Sequence, residues 1–238
     1  LKALRLAVPH TPEEMAALVV ETCRRNGIVD GYVRLVVTRG RGDLGINPRT
    51  CPTPEVIVIA RPQIALYQDP SKGVKLVTSS FRRPAPDTVS PSIKSLNYLN
   101  NVLARIEAND RGADEALLLD AAGYVAEATA DNVFIVTRRG LATPPVATNL
   151  SGITRETVME LADELGLTCE ERFFNLFELW SADEVFICGT GAEVVSVQSV
   201  DGRTIGDGRI GPVTEQLIAA YGAHVRSVGT PVAILGHS

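Results

Sequence analysis

Lys94 is the residue of this sequence best suited to covalent chemistry on a carbonyl group. It is one of only four lysines in a 238-residue chain whose positive charge comes mostly from arginine. The others, Lys2, Lys72 and Lys75, lie in segments predicted to be exposed ends and turns. A lysine amine in a partly desolvated pocket loses its proton and attacks a carbonyl, which a guanidinium does not do. Because most lysines are merely exposed, Lys94 needs supporting residues before it predicts a reaction.

A carboxylate and a helix start lie further along the chain. Glu127 stands in VAEATADN, a strand-like segment of small residues, and a carboxylate that faces a heteroaromatic nitrogen keeps that nitrogen protonated. In LSGITRE, Gly152, Ile153 and Thr154 begin a predicted helix, and the unpaired amides and dipole of a helix N-terminus bind phosphate. The Thr154 hydroxyl adds a further donor there.

A second turn of similar composition follows in CGTGAEV. Gly189, Thr190 and Gly191 offer backbone amides and a hydroxyl directly after a predicted strand. Either glycine-threonine turn alone is more often a cap or a tight turn than a ligand site. Their joint presence with Lys94 and Glu127 predicts a pocket for a phosphorylated aldehyde cofactor.

Helices and strands must position these residues, and the sequence predicts both in a mixed order. Thr11 as N-cap, Pro12 in the first turn and Glu14 three residues after the cap predict a helix to residue 26. Further helices are predicted over residues 95–112, 153–166, 176–182 and 211–221, the first with one apolar face formed by Leu96, Leu99, Val102, Leu103 and Ile106. Strands are predicted over residues 31–40, 55–62, 115–120, 124–129, 132–137, 169–173 and 184–190, with a hairpin over 194–205. This mixture favours an α+β fold over a doubly wound sheet.

The segment FRRPAPDTVSPS, with three prolines and little apolar content, is interpreted as a connection between two subdomains. We expect a small N-terminal subdomain over residues 1–81, an interdomain linker over 82–92 and a larger ligand-binding subdomain over 93–238.

Composition excludes several classes of function. The net charge of −5 and the absence of basic runs argue against a nucleic-acid partner. No apolar run is long enough for a membrane span and no signal-peptide pattern opens the chain, so we expect a cytoplasmic protein. Three histidines near the ends or in polar contexts give little support to a Ser-His-Asp or Cys-His mechanism. A zinc site or a disulfide framework is not predicted either, because CxxC spacing is absent among Cys23, Cys51, Cys169 and Cys188.

Five segments in order resemble the class IV (fold type IV) pyridoxal-phosphate aminotransferases, most closely the branched-chain amino acid aminotransferases. They are SIKSLNYLNNVLARIEA, DEALLLDAAGYVAEATADNVFIV, LSGITRETV, ADEVFICGTGAEV and VDGRTIGDGRIGPVT. The resemblance implies a small α/β subdomain and a larger one with a mixed, barrel-like β core and flanking helices. It also implies pyridoxal 5′-phosphate as cofactor and a homodimer or higher homo-oligomer.

The resemblance assigns expected roles to individual residues. Lys94 would be the Schiff-base lysine and proton shuttle, and Glu127 the partner of the pyridine nitrogen. The phosphate would be bound at Gly152, Ile153, Thr154, Gly189 and Thr190, Leu150 would pack on the ring, and Gly191 and Ala192 would present amides to the substrate carboxylate. Tyr98, one helical turn after Lys94, would line the pocket, Tyr32 and Arg34 would hold a distal substrate carboxylate, and Leu44 and Ile46 would line the side-chain pocket across a dimer interface.

The chain departs from the family pattern at two places. Ala128 replaces the family's glycine after the pyridine-pairing glutamate, which adds a methyl group near the cofactor. The chain also begins where family members have already run about fifty residues, so a phosphate-gripping arginine and an active-site tyrosine are expected before Leu1.

The predicted activity is transamination between a branched-chain L-amino acid and 2-oxoglutarate. Tyr32 with Arg34, the apolar GDLGIN loop and Thr154 favour this reading. The alternatives left open are a D-amino acid transaminase, an (R)-amine transaminase or an aminodeoxychorismate lyase of the same fold. A non-catalytic truncated relative is the alternative of a different class.

Overall fold

The computed structural model describes residues 1–62, 66–67 and 69–232 of the chain. It divides into two compact units, one of Leu1–Ala65 with Val228–Ser238 and one of Leu66–Ser227. The predicted linker at 82–92 lies inside the second unit, because the strand before it pairs with strands of that unit. Within the described ranges, none of the helices has the length and apolar character needed to cross a membrane.

Among the residues that the structure describes, the first unit contains one α-helix and a two-stranded sheet. The helix α1 spans Pro12–Arg25, and the antiparallel strands β1 and β2 span Gly31–Thr38 and Glu55–Pro62. The predicted capping box is confirmed, since Thr11 Oγ1 accepts from the Glu14 amide at 3.2 Å and Glu14 Oε2 accepts from the Thr11 amide at 2.9 Å. This reciprocal pair fixes the helix start where the sequence predicts it.

The second unit contains the remaining helices and a mixed sheet. Its helices are α2 Leu99–Asp110, α3 Ile153–Glu164, α4 Leu176–Trp180 and α5 Pro212–Ser227. Its strands are β3 Val74–Arg82, β4 Glu115–Leu119, β5 Val125–Ala128, β6 Asn132–Thr137, β7 Gly140–Thr143, β8 Cys169–Glu171, β9 Glu184–Gly189, β10 Glu193–Val200 and β11 Arg203–Thr204. The α+β prediction is confirmed. The strands β3 and β7 are additions to the sequence prediction.

The sheet curls so that its path returns on itself. The strand order is β5-β4-β3-β10-β9-β6-β7-β8, with β11 paired to β10. A tight turn joins β5 to β6, where the Ala128 amide donates to the Asp131 carbonyl at 2.8 Å. The first and sixth strands of the path are therefore neighbours, which gives the expected barrel-like core.

Side chains alternate between two apolar layers, as the period of a strand requires. Val133 and Ile135 of β6 lie in the interior of the curled sheet, whereas Phe134 and Val136 pack with α3 and α5 on the outer face. The helix α2 covers another part of the outer face through the small residues Ala104 and Ala108. The core therefore holds the strand ends near residues 127–132 in fixed positions.

The helix α2 differs from its prediction in both its start and its orientation. It begins at Leu99 rather than Ser95, because residues 90–98 form tight turns and the Asn97 amide bonds to Ser95 Oγ, which competes with helical bonding. The apolar face that includes Leu99, Val102 and Ile106 is largely exposed, while Asn101 is buried beside Ala104 and Ala108.

Candidate active site

Lys94 lies in the loop between β3 and α2 and lines a pocket of the second unit. The same pocket is lined by Tyr98, Glu127 and Leu150, as predicted, and also by Arg83. The Lys94 Nζ lies 3.5 Å from the Tyr98 hydroxyl. Since Tyr98 is the N-cap residue of α2, this proximity comes from the preceding turn and not from a shared helical turn, which corrects the sequence prediction.

Glu127 is the buried carboxylate of the pocket. Its Oε1 lies 2.6 Å from Arg83 Nη2, and its Oε2 accepts from the Leu150 amide at 3.1 Å. Burial raises the pKa of Glu127 to about 7, although Arg83, the Leu150 amide and the Lys94 ammonium all act to lower it. The side chain is therefore fixed in orientation and changes charge near neutral pH.

The start of α3 is an uncapped helix N-terminus. Gly152 is the N-cap residue and no side chain bonds to the first-turn amides. A Cβ on Gly152 would overlap Asn132 Oδ1, so only glycine fits this close approach. Ile153 is exposed, whereas Thr154 is buried with its hydroxyl 3.5 Å from the Tyr221 hydroxyl. The predicted phosphate-binding role of these residues stays a prediction.

The second glycine-threonine turn is the hairpin loop between β9 and β10. Gly189 pairs with Glu193, Thr190 is exposed, and Gly191 and Ala192 are half-buried. Gly189 packs directly against Asp131, because a Cβ there would overlap Asp131 Oδ1. Neither this turn nor the Gly152 turn lines the pocket of Lys94, so their ligand-binding roles remain predictions.

Two consecutive residues, Asp131 directly before β6 and Asn132 at its start, connect the pocket region to both turns. Asp131 lies against Gly189 and accepts from the Tyr67 hydroxyl at 2.9 Å, while Asn132 lies against Gly152 and its Nδ2 donates to the Leu150 carbonyl at 2.9 Å. Burial raises the pKa of Asp131 to about 6, against the effect of the Tyr67 hydrogen bond. This connection places the two turns beside the strand end that holds Glu127.

Sequence reasoning missed four polar residues of this region. Arg83 and Asn101 lie in segments interpreted as linker and as an amphipathic helix, and Asp131 and Asn132 follow Glu127 without an assigned role. All four are buried in the structure. Polar residues adjacent to a predicted site are the signal that could have identified Asp131 and Asn132.

The predicted substrate-binding residues of the first unit form their own arrangement. The Arg34 guanidinium lies 5.8 Å from the centre of the Tyr32 ring, so both side chains of β1 are on one face. Leu44 and Ile46 are fully exposed in the loop between β1 and β2. Their roles in substrate binding stay predictions.

Comparisons with known proteins agree with the resemblance. A family model described as amino-transferase class IV matches residues 1–200. A Methanocaldococcus jannaschii protein, provisionally named a branched-chain-amino-acid aminotransferase, is 48% identical over 217 residues, which cover 91% of this chain and 75% of that protein. The branched-chain-amino-acid aminotransferase-like protein 2 of Arabidopsis thaliana is 38% identical over 97% of this chain and 42% of its own length.

A solved structure matches the fold as well as the sequence. The T.th. branched-chain amino acid aminotransferase with pyridoxamine 5′-phosphate superposes with a TM-score of 0.90 at 39% identity, over 95% of this chain and 75% of that one.

Proposed function

This chain belongs to the class IV amino-transferase family, and from that premise we propose that it transfers amino groups between a branched-chain L-amino acid and 2-oxoglutarate with pyridoxal 5′-phosphate. The presence of Lys94 and the buried Glu127 in the lining of one pocket is the observation that carries the proposal. The names of the relatives support branched-chain substrates. The T.th. enzyme has also been crystallised with N-(5′-phosphopyridoxyl)-L-glutamate, which supports glutamate and its 2-oxo acid as the second pair.

The residues present fit this cofactor. Glu127 offers a buried carboxylate for a ring nitrogen, and Lys94 offers an accessible amine in the same pocket. The uncapped start of α3 suits a phosphate, because its amides have no side-chain acceptor and Gly152 leaves no room for a Cβ. When bound, the cofactor supplies an aldehyde that carries the amino group and a ring that accepts the electron pair released at the substrate α-carbon.

The chain's own residues then bind, orient and move protons. Lys94 Nζ would take the proton from the α-carbon of the amino donor and pass it, within the same half-reaction, to the carbonyl-derived carbon of the cofactor. The reverse transfer in the second half-reaction would protonate the α-carbon of the new amino acid. Glu127 holds the proton on the ring nitrogen, since an ionised carboxylate in a low-dielectric pocket stabilises a neighbouring cation. The Tyr98 hydroxyl, 3.5 Å from Nζ, orients the amine.

The substrate side of the proposal rests on the first unit. Arg34, which shares a strand face with Tyr32, is proposed to hold the distal carboxylate of glutamate, because a guanidinium pairs with a carboxylate through two bonds. Leu44 and Ile46 are proposed to contact the aliphatic side chain of the other substrate. Arg34→Met should raise KM for 2-oxoglutarate more than KM for L-leucine, and equal changes would contradict this role.

Borohydride reduction tests the central assignment. Protein loaded with pyridoxal 5′-phosphate and then reduced should carry the cofactor on the peptide that contains Lys94, as measured by mass spectrometry. Lys94→Ala should abolish both the label and glutamate formation, whereas Lys72→Ala, at an exposed lysine paired with Asp69, should leave both unchanged. Label on another lysine would overturn the assignment.

A donor panel tests the substrate class. L-leucine should produce glutamate from 2-oxoglutarate, whereas D-alanine and (R)-1-phenylethylamine should not. Preference for either of the latter would indicate a D-amino acid or (R)-amine transaminase, and pyruvate release from aminodeoxychorismate would indicate the lyase.

A second copy of the chain is the proposed partner of the exposed face of α2. Leu99, Val102 and Ile106 of α2, and Leu96 in the preceding loop that also holds Lys94, are each between 48% and 70% exposed. Such an apolar stripe on a helix is usually covered by another chain. Val102→Glu should convert a dimer to a monomer in sedimentation velocity, and an unchanged sedimentation coefficient would contradict this face as the interface.

A further inference from the structure

Arg83 is the one cation in direct contact with Glu127 within the described part of the chain. Its Nη2 lies 2.6 Å from Glu127 Oε1, and both side chains are more than nine-tenths buried. Its backbone is fixed at the end of β3, where the Arg83 amide donates to the Leu119 carbonyl at 2.9 Å. An exposed linker arginine would have neither constraint.

A second residue holds the other branch of the guanidinium. Arg83 Nη1 donates to Asn101 Oδ1 at 2.9 Å, and Asn101 Nδ2 donates to the Thr129 carbonyl at 2.5 Å. Thr129 begins the turn that follows Glu127 on β5. The contacts therefore run from Thr129 through Asn101 and Arg83 back to the carboxylate, and they fix its position relative to its own strand.

Glu127 keeps accepting capacity that these contacts do not use. Arg83 occupies one site on Oε1 and the Leu150 amide one site on Oε2, whereas an ionised carboxylate has about four acceptor sites. The two bonds prevent rotation of the carboxylate but leave a lone pair on each oxygen. The carboxylate is therefore held ready for a further donor.

We propose that Arg83, oriented by Asn101, is a positioning residue that fixes the orientation and the negative charge of Glu127. The proposal deepens the proposed function, on which it rests, because the further donor is the protonated ring nitrogen of the cofactor. The Arg83 cation acts against the burial that raises the pKa of Glu127, so without it the carboxyl would stay neutral to higher pH and would not accept a hydrogen bond from that N–H as an anion. The only charged groups that face Glu127 from the described elements around it are Arg83 and Lys94.

Arg83→Met, which keeps an unbranched apolar chain but removes the cation, tests the proposal without activity measurements. In the cofactor-free protein, the pH window over which Glu127 ionises should move upward. This window is measured as the part of the pH dependence of unfolding that Glu127→Gln abolishes. A purely structural arginine would lower stability equally at all pH values and leave the window in place, which would overturn the proposal.

Cofactor affinity gives a second measurement. Arg83→Met should weaken pyridoxal 5′-phosphate binding at pH 7.5 by roughly tenfold or more, the scale of one charge-assisted hydrogen bond. Arg105→Met is the matched control, because Arg105 pairs with the buried Glu115 at 2.7 Å outside the pocket. It should leave the affinity within about twofold of wild type. Equal losses in both variants would contradict a specific role for Arg83.

Two milder variants keep the test decisive if Arg83→Met does not fold. Arg83→Lys retains the cation and should keep the ionisation window near that of wild type. Asn101→Ser removes the anchor and should weaken cofactor binding without removing the charge. The proposal would be overturned if Asn101→Ser bound the cofactor as tightly as wild type. It would also be overturned if Arg83→Lys moved the pH window of Glu127 ionisation as far as Arg83→Met does.

Failure of the proposed function would give a different result. In that case the wild-type protein itself would not retain the cofactor on Lys94 after reduction. Failure of the Arg83 proposal would instead show normal labelling of wild type and unchanged titration and affinity in the variants.

Discussion

The starts of α3 and α5 satisfy the same physical requirement in opposite ways. At α5, the buried Glu184 carboxylate accepts from the Val213 amide at 3.0 Å, and from the amide and hydroxyl of Thr214 at 2.7 Å each. At α3, Gly152 is the N-cap and no side chain takes the first-turn amides. Both ends carry the partial positive charge of a helix N-terminus, but only α5 neutralises it from within the chain.

The glycines beside these two helices show that the difference is built into the packing. Gly211 lies against Glu184 and Gly152 lies against Asn132, and neither has room for a Cβ. In α5 the close approach brings an anion to the helix. In α3 it brings a neutral amide, which leaves the amides of the first turn for an external anion. Under the proposed function, the start of α5 serves stability and the start of α3 binds the cofactor phosphate.

Glu184→Ala should have the largest effect on stability. It removes an internal helix cap and leaves buried donors without acceptors, so the free energy of unfolding should fall by about 3 to 4 kcal/mol. Cofactor affinity of the folded fraction should not change. Urea unfolding with a cofactor titration in parallel would measure both, and weaker cofactor binding would break the division of roles between α5 and α3.

Glu127→Gln should change the pH dependence of stability rather than its overall level. Because burial raises the pKa of Glu127 to about 7 from 4.5, the carboxyl stabilises the fold below pH 4.5 in its neutral form, and this stability is lost as pH rises to 7. The loss amounts to about 3 kcal/mol. Between pH 4.5 and 7, the free energy of unfolding of Glu127→Gln should therefore fall by about 3 kcal/mol less than that of the wild type.

Chemical denaturation at several pH values would measure this difference. Glu164→Gln, at an exposed carboxylate on α3, is the control and should follow wild type. Asp131 contributes a decrease of the same sign between pH 3.8 and about 6, so some pH dependence should remain in Glu127→Gln. If Glu127→Gln had the same pH dependence of stability as wild type, the raised pKa of Glu127 would be contradicted.

Features set by local chemistry were predictable from sequence, and features set by distant pairing were not. The start of α1 follows from Thr11 and Glu14, which bond to each other across three residues. The strand β6 follows from its continuous run of β-branched and aromatic residues, 133–136. In contrast, the apolar pattern of β3 is interrupted by the polar residues 78–80, and β3 is a strand because it pairs in parallel with both β4 and β10. Such partners are invisible to local patterns.

The candidate site divides in the same way. Lys94, Glu127 and Leu150 were predicted and line one pocket. Arg83 was missed because its neighbouring prolines favour a linker, and Asn101 because its burial depends on how α2 rotates over the sheet. The sequence was enough to predict which residues form the site. The buried contacts that orient them could be identified only from the structure.

Gly152→Ala should show that the start of α3, unlike that of α5, affects cofactor binding. The added methyl group would displace Asn132 or the helix start, so cofactor affinity should fall by about tenfold or more, the scale of a lost charge-assisted bond. Gly211→Ala is the matched variant, because it disturbs Glu184 and should reduce stability instead. Isothermal titration with the cofactor and urea unfolding of both variants would measure these two effects. Loss of cofactor affinity in Gly211→Ala alone would contradict the assignment of binding to α3 and of stability to α5.

Thr154→Val carries the smallest expected effect and refines the view of α3. The Thr154 hydroxyl lies 3.5 Å from that of Tyr221, a long contact that leaves it able to donate at the helix start. If it serves the phosphate, as the sequence predicts, its loss should weaken cofactor binding by about three- to tenfold, the range of one neutral hydrogen bond. Tyr221→Phe removes the other partner and should leave affinity unchanged. If the two variants bound the cofactor with equal affinity, the Thr154 hydroxyl would serve only the packing between α3 and α5. The start of α3 would then bind the phosphate through its backbone amides alone.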